Sequence, residues 1–305
     1  MGTPLDSSTS VELAVVERDG FPESRHIGAA VLVDADGRVL EALGDPSALI
    51  YPRSAVKPLQ ATAVLGTGLA LRGEQLVLAT ASHAGTPAHI AVVERMLADA
   101  NLDETALQCP LDWPLDSESR HAANGPRRIT MNCSGKHAAF LSAAVHNGWS
   151  TKDYLSPRHP VQVAVAAMIA DFASEQVSHW GVDGCNAPTP VISVVGLARS
   201  FSRVVTSGSP LPEAMRAHPW AVDGEGRENA VTIERTGVLA KVGAEGVLVL
   251  ATSGGQAVAI KTLDGANRAR TAVGLELLVR AGLVDRDRAD EVLAIVGEPG
   301  LRVTF

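Results

Sequence analysis

Ser54 and Lys57 are the first residues whose types and spacing could support chemistry. They stand three positions apart in the segment RSAVK, and on a helix this spacing lets the lysine amine reach the serine hydroxyl. A serine hydroxyl is a weak nucleophile that needs an adjacent base, and lysine is a base only where burial or a nearby cation keeps its amine neutral. Pro58 fits the first turn of a helix, so Ser54 is expected near a helix N-terminus.

Two further segments carry a serine and a lysine. Ser82 lies in ASHAGTPAH, which by itself favours an ordinary loop between two helices, and Lys261 precedes Thr262 at the end of an apolar run. In chain order, Ser54 with Lys57, then Ser82, then Lys261 with Thr262 resemble the three-part pattern of serine β-lactamases and penicillin-binding proteins. The ordered trio is far more specific than any one of its members.

Two of the three cysteines lie in segments that could bind a metal. Cys133 precedes a lysine in NCSGKH, and Cys185 lies in a turn-rich loop, WGVDGCNAP. Together they resemble half of a zinc site. A lysine amine binds a metal only when it is deprotonated. The candidates for a third ligand are His137, His83, Asp183 and Lys136.

Composition excludes several classes of protein. The 305 residues are 46% apolar, which is enough to bury a large core. A net charge of -8 without a basic block argues against nucleic-acid binding. Three cysteines cannot form a closed disulfide framework and favour a reducing compartment. Neither a secretory signal nor a membrane span is predicted, and residues 1–10 are expected to form a flexible leader.

The hydrophobic periodicity changes twice along the chain. Strands are predicted at 11–17, at 26–34 and in RVLEALG, and again later in VTIER, GVLAKVG, GVLVLATS and QAVAIKT. Helices are predicted at 58–70, 74–83, 88–100, 134–148, 159–176, 265–282 and 286–296. This order predicts one α+β domain over 1–305, with layered helices and a sheet from about 11–50 and 229–305. A largely helical part over about 52–228 would be inserted in it.

The motifs together resemble the Rhizobium-type (class 3, thermolabile) L-asparaginases over residues 11–275. The strings that carry the resemblance are YPRSAVKPLQA, SHAG, MNCSGKHAAF, DGCNAP, HPWAVDGEGR, KVGAEGV and IKTLDGA. The resemblance implies a serine-β-lactamase/glutaminase-like fold, in which helices flank a mostly antiparallel sheet. It also implies a cytoplasmic homodimer that hydrolyses L-asparagine to L-aspartate and ammonia, with no nucleic-acid or membrane partner.

The resemblance also assigns roles to residues. Ser54 would be the nucleophile and Lys57 its base, and Ser82 with Lys261 would form a second Ser-Lys pair in the same cleft. The substrate would be bound by Arg53, His137 and Asp183. One zinc ion per subunit, which would support the substrate rather than generate the nucleophile, would be held by Cys133, Lys136 and Cys185.

The chain departs from the family pattern at three positions. Thr86 replaces a common Glu, Asn186 follows DGC where Gly or Ser is common, and Asp223 replaces the usual Ala. Cys109 matches no motif and is expected to be structural. The alternatives are a glutaminase or β-lactam-type acyl-transferase on the same fold, or a zinc-binding relative without catalytic activity.

Overall fold

Two antiparallel sheets and twelve helices make up the structure, a computed structural model that describes residues 2–305. The strands are β1 (Val11–Arg18), β2 (Phe21–Val33), β3 (Val39–Leu43), β4 (Leu49–Ile50), β5 (His179–Val182), β6 (Pro188–Ser193), β7 (Leu239–Val242), β8 (Val247–Ala251), β9 (Ala257–Thr262) and β10 (Leu301–Val303).

The helices lie mainly between β4 and β7. They are α1 (Lys57–Gly66), α2 (Gly73–Leu78), α3 (Pro87–Asp99), α4 (Ser117–Ala122), α5 (Ser134–His146), α6 (Pro160–Ala173), α7 (Val194–Thr206), α8 (Leu211–Ala217), α9 (Trp220–Asp223), α10 (Glu228–Thr236), α11 (Arg270–Arg280) and α12 (Arg286–Val296). Short 3-10 turns occur at Arg53–Val56 and Glu104–Ala106.

The larger sheet joins the two ends of the chain. Its strand order is β10-β1-β2-β9-β8-β7, and β3 also pairs with β2. Strands β1 to β3 come from the N-terminal part, whereas β7 to β10 come from the C-terminal part, after helix α10. The predicted fold class, an α+β fold with a mostly antiparallel sheet, flanking helices and a helical insertion, is therefore confirmed.

Helices cover both faces of this sheet. Every residue of β8 is buried, and because side chains alternate between the faces of a strand, both faces must be covered. Helix α11 lies close on one face, where its Gly274 faces side chains of β8 and β9. Helix α7 also packs on β2, β8 and β9. The resulting rigid core fixes the strand that faces the candidate site.

A second sheet lies within the largely helical part, in the order β4-β6-β5. The sequence did not predict it, because Pro188 and Pro190 indicated a stiff loop. Both prolines pair only with β5, while β4 reaches only the other end of β6. Their missing N–H groups therefore fall where β6 is locally an edge strand, a position that tolerates proline.

The predicted strand VTIER is wrong, because these residues belong to helix α10. Their β-branched side chains favour a strand locally. Tertiary contacts decide otherwise, since the carboxylate of Asp223 accepts hydrogen bonds from the N–H groups of Asn229 and Ala230 in the first turn of the helix. Gly237, with a φ of 71°, ends the helix in the left-handed conformation.

The N-terminal residues contact the rest of the chain. Leu5 N donates to Leu49 O, Leu49 N donates to Thr3 O, and Asp45 N donates to Thr9 O. These bonds attach the predicted flexible leader, residues 1–10, to residues 45–49, which follow β3.

Candidate functional site

Ser82 is the centre of a cluster formed where the helical part meets the large sheet. Its hydroxyl Oγ lies 3.1 Å from the Lys57 Nζ and 3.1 Å from the Lys241 Nζ. The backbone of Ser82 is also fixed, because its N–H donates to Val222 O at 2.9 Å. One hydroxyl thus lies between two lysine side chains that come from different parts of the fold.

Lys57 begins helix α1, directly after the 3-10 turn that holds Ser54. The side chain is buried, and its amine also donates to Ala81 O at 2.6 Å. The Lys57 amine bonds to Ser82 rather than to Ser54. Within residues 2–305, the Ser54 Oγ makes no hydrogen bond. Ser54 lies one turn away along the chain and is half-buried.

The expected partner of Ser82, Lys261, is not its partner, because Lys241 takes that position. Lys261 lies on β9, separated from β7 by β8, and its amine donates to Glu245 O at 2.6 Å and to Thr262 O. Lys241, on β7, is completely buried. Lys241 is the lysine of the string KVGAEGV, and a lysine inside an apolar strand is the sequence signal that points to it.

The charge state of Lys241 is unusual. Burial, and then the charge of Lys57, lower the pKa of Lys241 to about 7, although the Asp223 carboxylate opposes part of this change. An amine with a pKa near neutrality is able to accept a proton at working pH. The cluster therefore contains a base.

The backbone after Lys241 lies against the turn that holds Ser54. A Cβ built at Gly243 would lie 2.5 Å from Pro52 O and 3.4 Å from Ala55 N, so only glycine permits this approach. In the described part of the chain, neither the Ser54 N–H nor the Ala244 N–H donates a hydrogen bond. These two N–H groups are therefore unused donors at the junction of the Ser54 turn with the backbone that follows β7.

The three predicted zinc ligands lie together. Cys133, Lys136 and Cys185 are all buried, and the Lys136 Nζ lies 3.0 Å from the Cys185 Sγ. The hydrogen bond from Cys133 and the charge of Lys136 lower the pKa of Cys185, whereas the same bond and burial raise the pKa of Cys133. Both shifts favour a thiolate at Cys185 over one at Cys133.

This cluster fits a zinc ion only if the lysine takes part. Among residues 2–305, no group of three or more His, Cys, Asp or Glu side chains is arranged to hold a metal. The two cysteines supply soft thiolate ligands of the kind that zinc prefers, and the Lys136 amine lies in contact with one of them. The donor set is therefore chemically suitable but incomplete without the amine.

Arg53 and Asp183 form an ion pair beside the Ser54 turn. The Arg53 Nε and Nη2 each lie 2.8 Å from the Asp183 Oδ1. Arg53 has a φ of 53°, an uncommon conformation for a residue with a side chain. The pair connects this turn to the loop of Cys185, so the two predicted substrate contacts are adjacent and currently bound to each other.

His137 lies on the cysteine side of the site, next to Lys136. Its Nδ1 lies 2.7 Å from the hydroxyl of Tyr154, and that oxygen also accepts from Gln108 N at 2.9 Å. Burial lowers the pKa of His137 to about 4, so its imidazole is neutral at pH 7. Tyr154, which positions this ring, was not predicted from the sequence.

The two histidines that follow Ser82 support its loop. The His83 Nε2 lies 2.8 Å from the Ser134 Oγ, and the rings of His83 and His89 stack with centroids 5.3 Å apart. Burial lowers the pKa of His83 well below its usual value. Cys109 is likewise buried and bonds to Arg128 O, as a structural cysteine would.

The structure combines an antiparallel sheet with flanking helices, and a serine lies between two lysines where the sheet and the helices meet. These features define a mixed α/β protein with a Ser-Lys site. The chain belongs to the L-asparaginase II family, whose sequence profile matches residues 14–303. It is accordingly a hydrolase that acts on amides. No curated protein matches the chain.

Solved structures similar in fold include a β-lactamase from Mycobacterium bovis. It is 18% identical, the match covers 88% of this chain and 94% of that one, and the TM-score is 0.43. Mglu in its glutamate form is 14% identical, the match covers 84% of this chain and 61% of that one, and the TM-score is 0.45. Mglu in its native form is 16% identical, the match covers 85% of this chain and 66% of that one, and the TM-score is 0.46. The chain spans less than two thirds of Mglu, and these likenesses concern the fold alone.

Within residues 2–305, none of the helices has the length and apolar character needed to cross a membrane.

Proposed function

We propose that the protein hydrolyses the side-chain amide of L-asparagine to L-aspartate and ammonia. The observation that carries the proposal is the contact of the Ser82 hydroxyl with both Lys57 and Lys241, beside Ser54, in a chain of the L-asparaginase II family. A hydroxyl between two amines is able to pass protons from one to the other, which amide hydrolysis requires.

Ser54 is the proposed nucleophile. Its oxygen attacks the amide carbon while its proton moves, through the Lys57 amine and the Ser82 hydroxyl, to the Lys241 amine, whose lowered pKa makes it the base. The N–H groups of Ser54 and Ala244 would stabilise the negative charge that develops on the carbonyl oxygen. The carbon–nitrogen bond then breaks, the nitrogen takes a proton through Ser82, and ammonia leaves. An aspartyl ester on Ser54 remains.

Water completes the reaction. The same amines accept a proton from water as its oxygen attacks the ester carbon, and the ester bond breaks with return of that proton to the Ser54 oxygen. Two amines on either side of one hydroxyl disfavour each other's positive charge, because like charges repel. At least one amine is therefore neutral and able to act as the base at each stage.

The ion pair of Arg53 and Asp183 suits a zwitterionic substrate. The guanidinium matches the two oxygens of an α-carboxylate, and the carboxylate matches an α-ammonium. When asparagine binds, the contact between Arg53 and Asp183 would break. The α-carboxylate of asparagine would then contact Arg53, and its α-ammonium would contact Asp183. His137 is proposed as a further substrate contact.

Cys133, Lys136 and Cys185 are proposed to hold one zinc ion. Bound there, it would supply positive charge near the substrate side of the cleft, while the attacking oxygen comes from Ser54. The Lys136 amine would have to lose its proton to bind it. We also propose a cytoplasmic homodimer, which agrees with the three free, buried cysteines and can be tested by light scattering.

The test is an ammonia assay on L-asparagine, L-glutamine and β-aspartyl amides, with a chromogenic cephalosporin in parallel. Release from asparagine alone, and its loss in Ser54→Ala but not in the exposed control Ser117→Ala, supports the proposal. Preference for glutamine, or turnover of the cephalosporin, would replace it with one of the alternatives. Mass spectrometry of the trapped ester on Ser82 would move the nucleophile to that residue.

A further inference from the structure

Asp223 is a buried carboxylate with an unusual set of partners. It ends helix α9 and is only 4% exposed. Its Oδ2 accepts from the Asn229 N–H and from the Asn229 Nδ2, each at 2.9 Å. Its Oδ1 accepts from the Ala230 N–H at 3.1 Å. The carboxylate thus caps helix α10 from outside the helix.

A short chain of hydrogen bonds connects Asp223 to Lys241. The Asn229 Oδ1 accepts from the Val242 N–H at 2.9 Å, and the Val242 carbonyl accepts from the Lys241 Nζ at 2.8 Å. The residue before Asp223, Val222, holds the Ser82 N–H through its carbonyl. Asp223 and its immediate partners therefore fix both members of the Ser82–Lys241 contact.

Lys241 has charged neighbours of both signs. Lys57 on α1 and Arg270 on α11 disfavour its ammonium, whereas Asp223 and Cys133 favour it, and the carboxylate is the stronger of these two. Arg270 is itself paired with Glu228 of α10. The other charged side chains on elements that pack against β7 are Arg53, Glu213, Arg216, Glu234 and Arg235.

We propose that Asp223 is a positioning residue that sets how readily Lys241 holds its proton, through its negative charge and through the Asn229–Val242 connection. This inference rests on the proposed function of Lys241 and deepens it. Asp223 does not contact the reacting atoms. With the negative charge of Asp223 in place, Lys241 loses its proton near neutral pH. Without that charge, Lys241 loses its proton at a lower pH.

A purely structural role is the competing explanation, because a carboxylate at a helix N-terminus also stabilises the helix. The two roles differ in what they change. A cap alone affects the unfolding temperature, whereas the proposed role shifts the titration of one lysine. The chain has only five lysines, namely Lys57, Lys136, Lys152, Lys241 and Lys261, so each can be followed separately.

The experiment is an NMR titration of the full-length protein labelled with ε-¹³C-lysine, in which the Lys241 signal is identified by its loss in Lys241→Met. The variants are Asp223→Asn and Asp223→Ser, which both remove the charge, and Ser is also a good helix cap. Glu225→Gln, which removes an exposed charge from the same loop, is the matched control. We expect the Lys241 midpoint to fall by about one pH unit in both Asp223 variants and to stay unchanged in the control.

The outcomes separate this inference from the proposed function, because the titration needs no turnover. A lower melting temperature with an unchanged Lys241 midpoint in either folded variant would overturn the inference and leave a structural cap. If the midpoint falls but the wild-type protein releases no ammonia from asparagine, the positioning role stands and the substrate is wrong. In an active enzyme, the acidic limb of the kcat/KM profile should move with the midpoint.

Discussion

Lys57 and Lys241 approach the same atom, the Ser82 Oγ, at 3.1 Å each. One lysine begins a helix of the inserted part and the other lies on a strand formed by the C-terminal part of the chain. Each side chain is buried, so the two amines cannot separate into solvent to relieve their repulsion. Burial and the neighbouring amine together explain how a lysine beside Ser82 becomes a usable base.

Replacement of either lysine should abolish most of the activity. We expect Lys57→Ala and Lys241→Ala to lower kcat/KM for asparagine by about 10²- to 10⁴-fold, the usual contribution of a general base. Lys261→Ala is the matched control and should stay within about twofold, since its amine only bonds to two carbonyl groups of the adjacent turn. Loss of activity in Lys261→Ala with retention in Lys241→Ala would restore the original pairing. Steady-state kinetics on both variants decide between the two.

Activity should rise with pH through the neutral range. The pKa of Lys241 is lowered to about 7, and the amine acts as a base only after it has lost its proton, so kcat/KM should increase from pH 6 to pH 8. His83 and His137 should not contribute, because burial lowers the pKa of each below its ordinary value. A profile that is flat from pH 5 to pH 8 would contradict this. The measurement is kcat/KM in buffers of constant ionic strength.

Gly243 should not tolerate a side chain. A Cβ there would lie 2.5 Å from Pro52 O and 3.0 Å from the Val247 Cβ, so Gly243→Ala must push β7 away from the Ser54 turn. We expect a loss of about 1–3 kcal/mol in the free energy of unfolding, as for other overpacked sites, together with reduced kcat. Gly66→Ala is the control, because nothing lies within 4 Å of its added Cβ. Urea unfolding measures both variants, and equal stability of the two would refute the close approach.

Zinc content should depend on two of the three cysteines. Cys133→Ala and Cys185→Ala should lose bound zinc in elemental analysis of the purified protein, because each removes a thiolate from a set with no spare ligand. Cys109→Ala, which removes a buried thiol that bonds only to a carbonyl group, should keep it. Equal zinc content in all three variants would exclude the proposed site.

Arg53 should affect substrate affinity more than turnover. Arg53→Ala removes a charge-assisted contact with the α-carboxylate, which is worth about 1.5–3 kcal/mol, so KM should rise by about 10- to 150-fold. Arg203, a half-buried residue paired with Asp171 at the surface, provides the control Arg203→Ala. A fall in kcat at unchanged KM would instead give Arg53 a role in the chemical step. Michaelis–Menten kinetics on asparagine separate the two results.

Much of the fold could be predicted because its signals are local. The apolar run at 26–34 and the helical periodicity at 134–148 correspond to β2 and α5, since each signal lies within a single element of the chain. Helix α10 was missed because its β-branched residues favour a strand by themselves, and the carboxylate that caps the helix comes from a different element. The small sheet was missed because proline is disfavoured inside a sheet. Its prolines are tolerated here because β4 is short and does not pair with their end of β6.

The sequence alone identified the family and predicted Ser54, Lys57, Ser82 and the two loop cysteines as site residues, since these depend on residue types and short spacings. The partner of Ser82 depended on the tertiary structure. Both Lys241 and Lys261 lie on apolar strands, and spacing along the chain does not tell which strand faces the helical part. Pairing of β7, β8 and β9, together with the contact of Gly243 and the Ser54 turn, brings the Lys241 amine to Ser82 and directs Lys261 to the adjacent turn. Side-chain direction across a sheet follows from register and long-range packing, which no local pattern encodes.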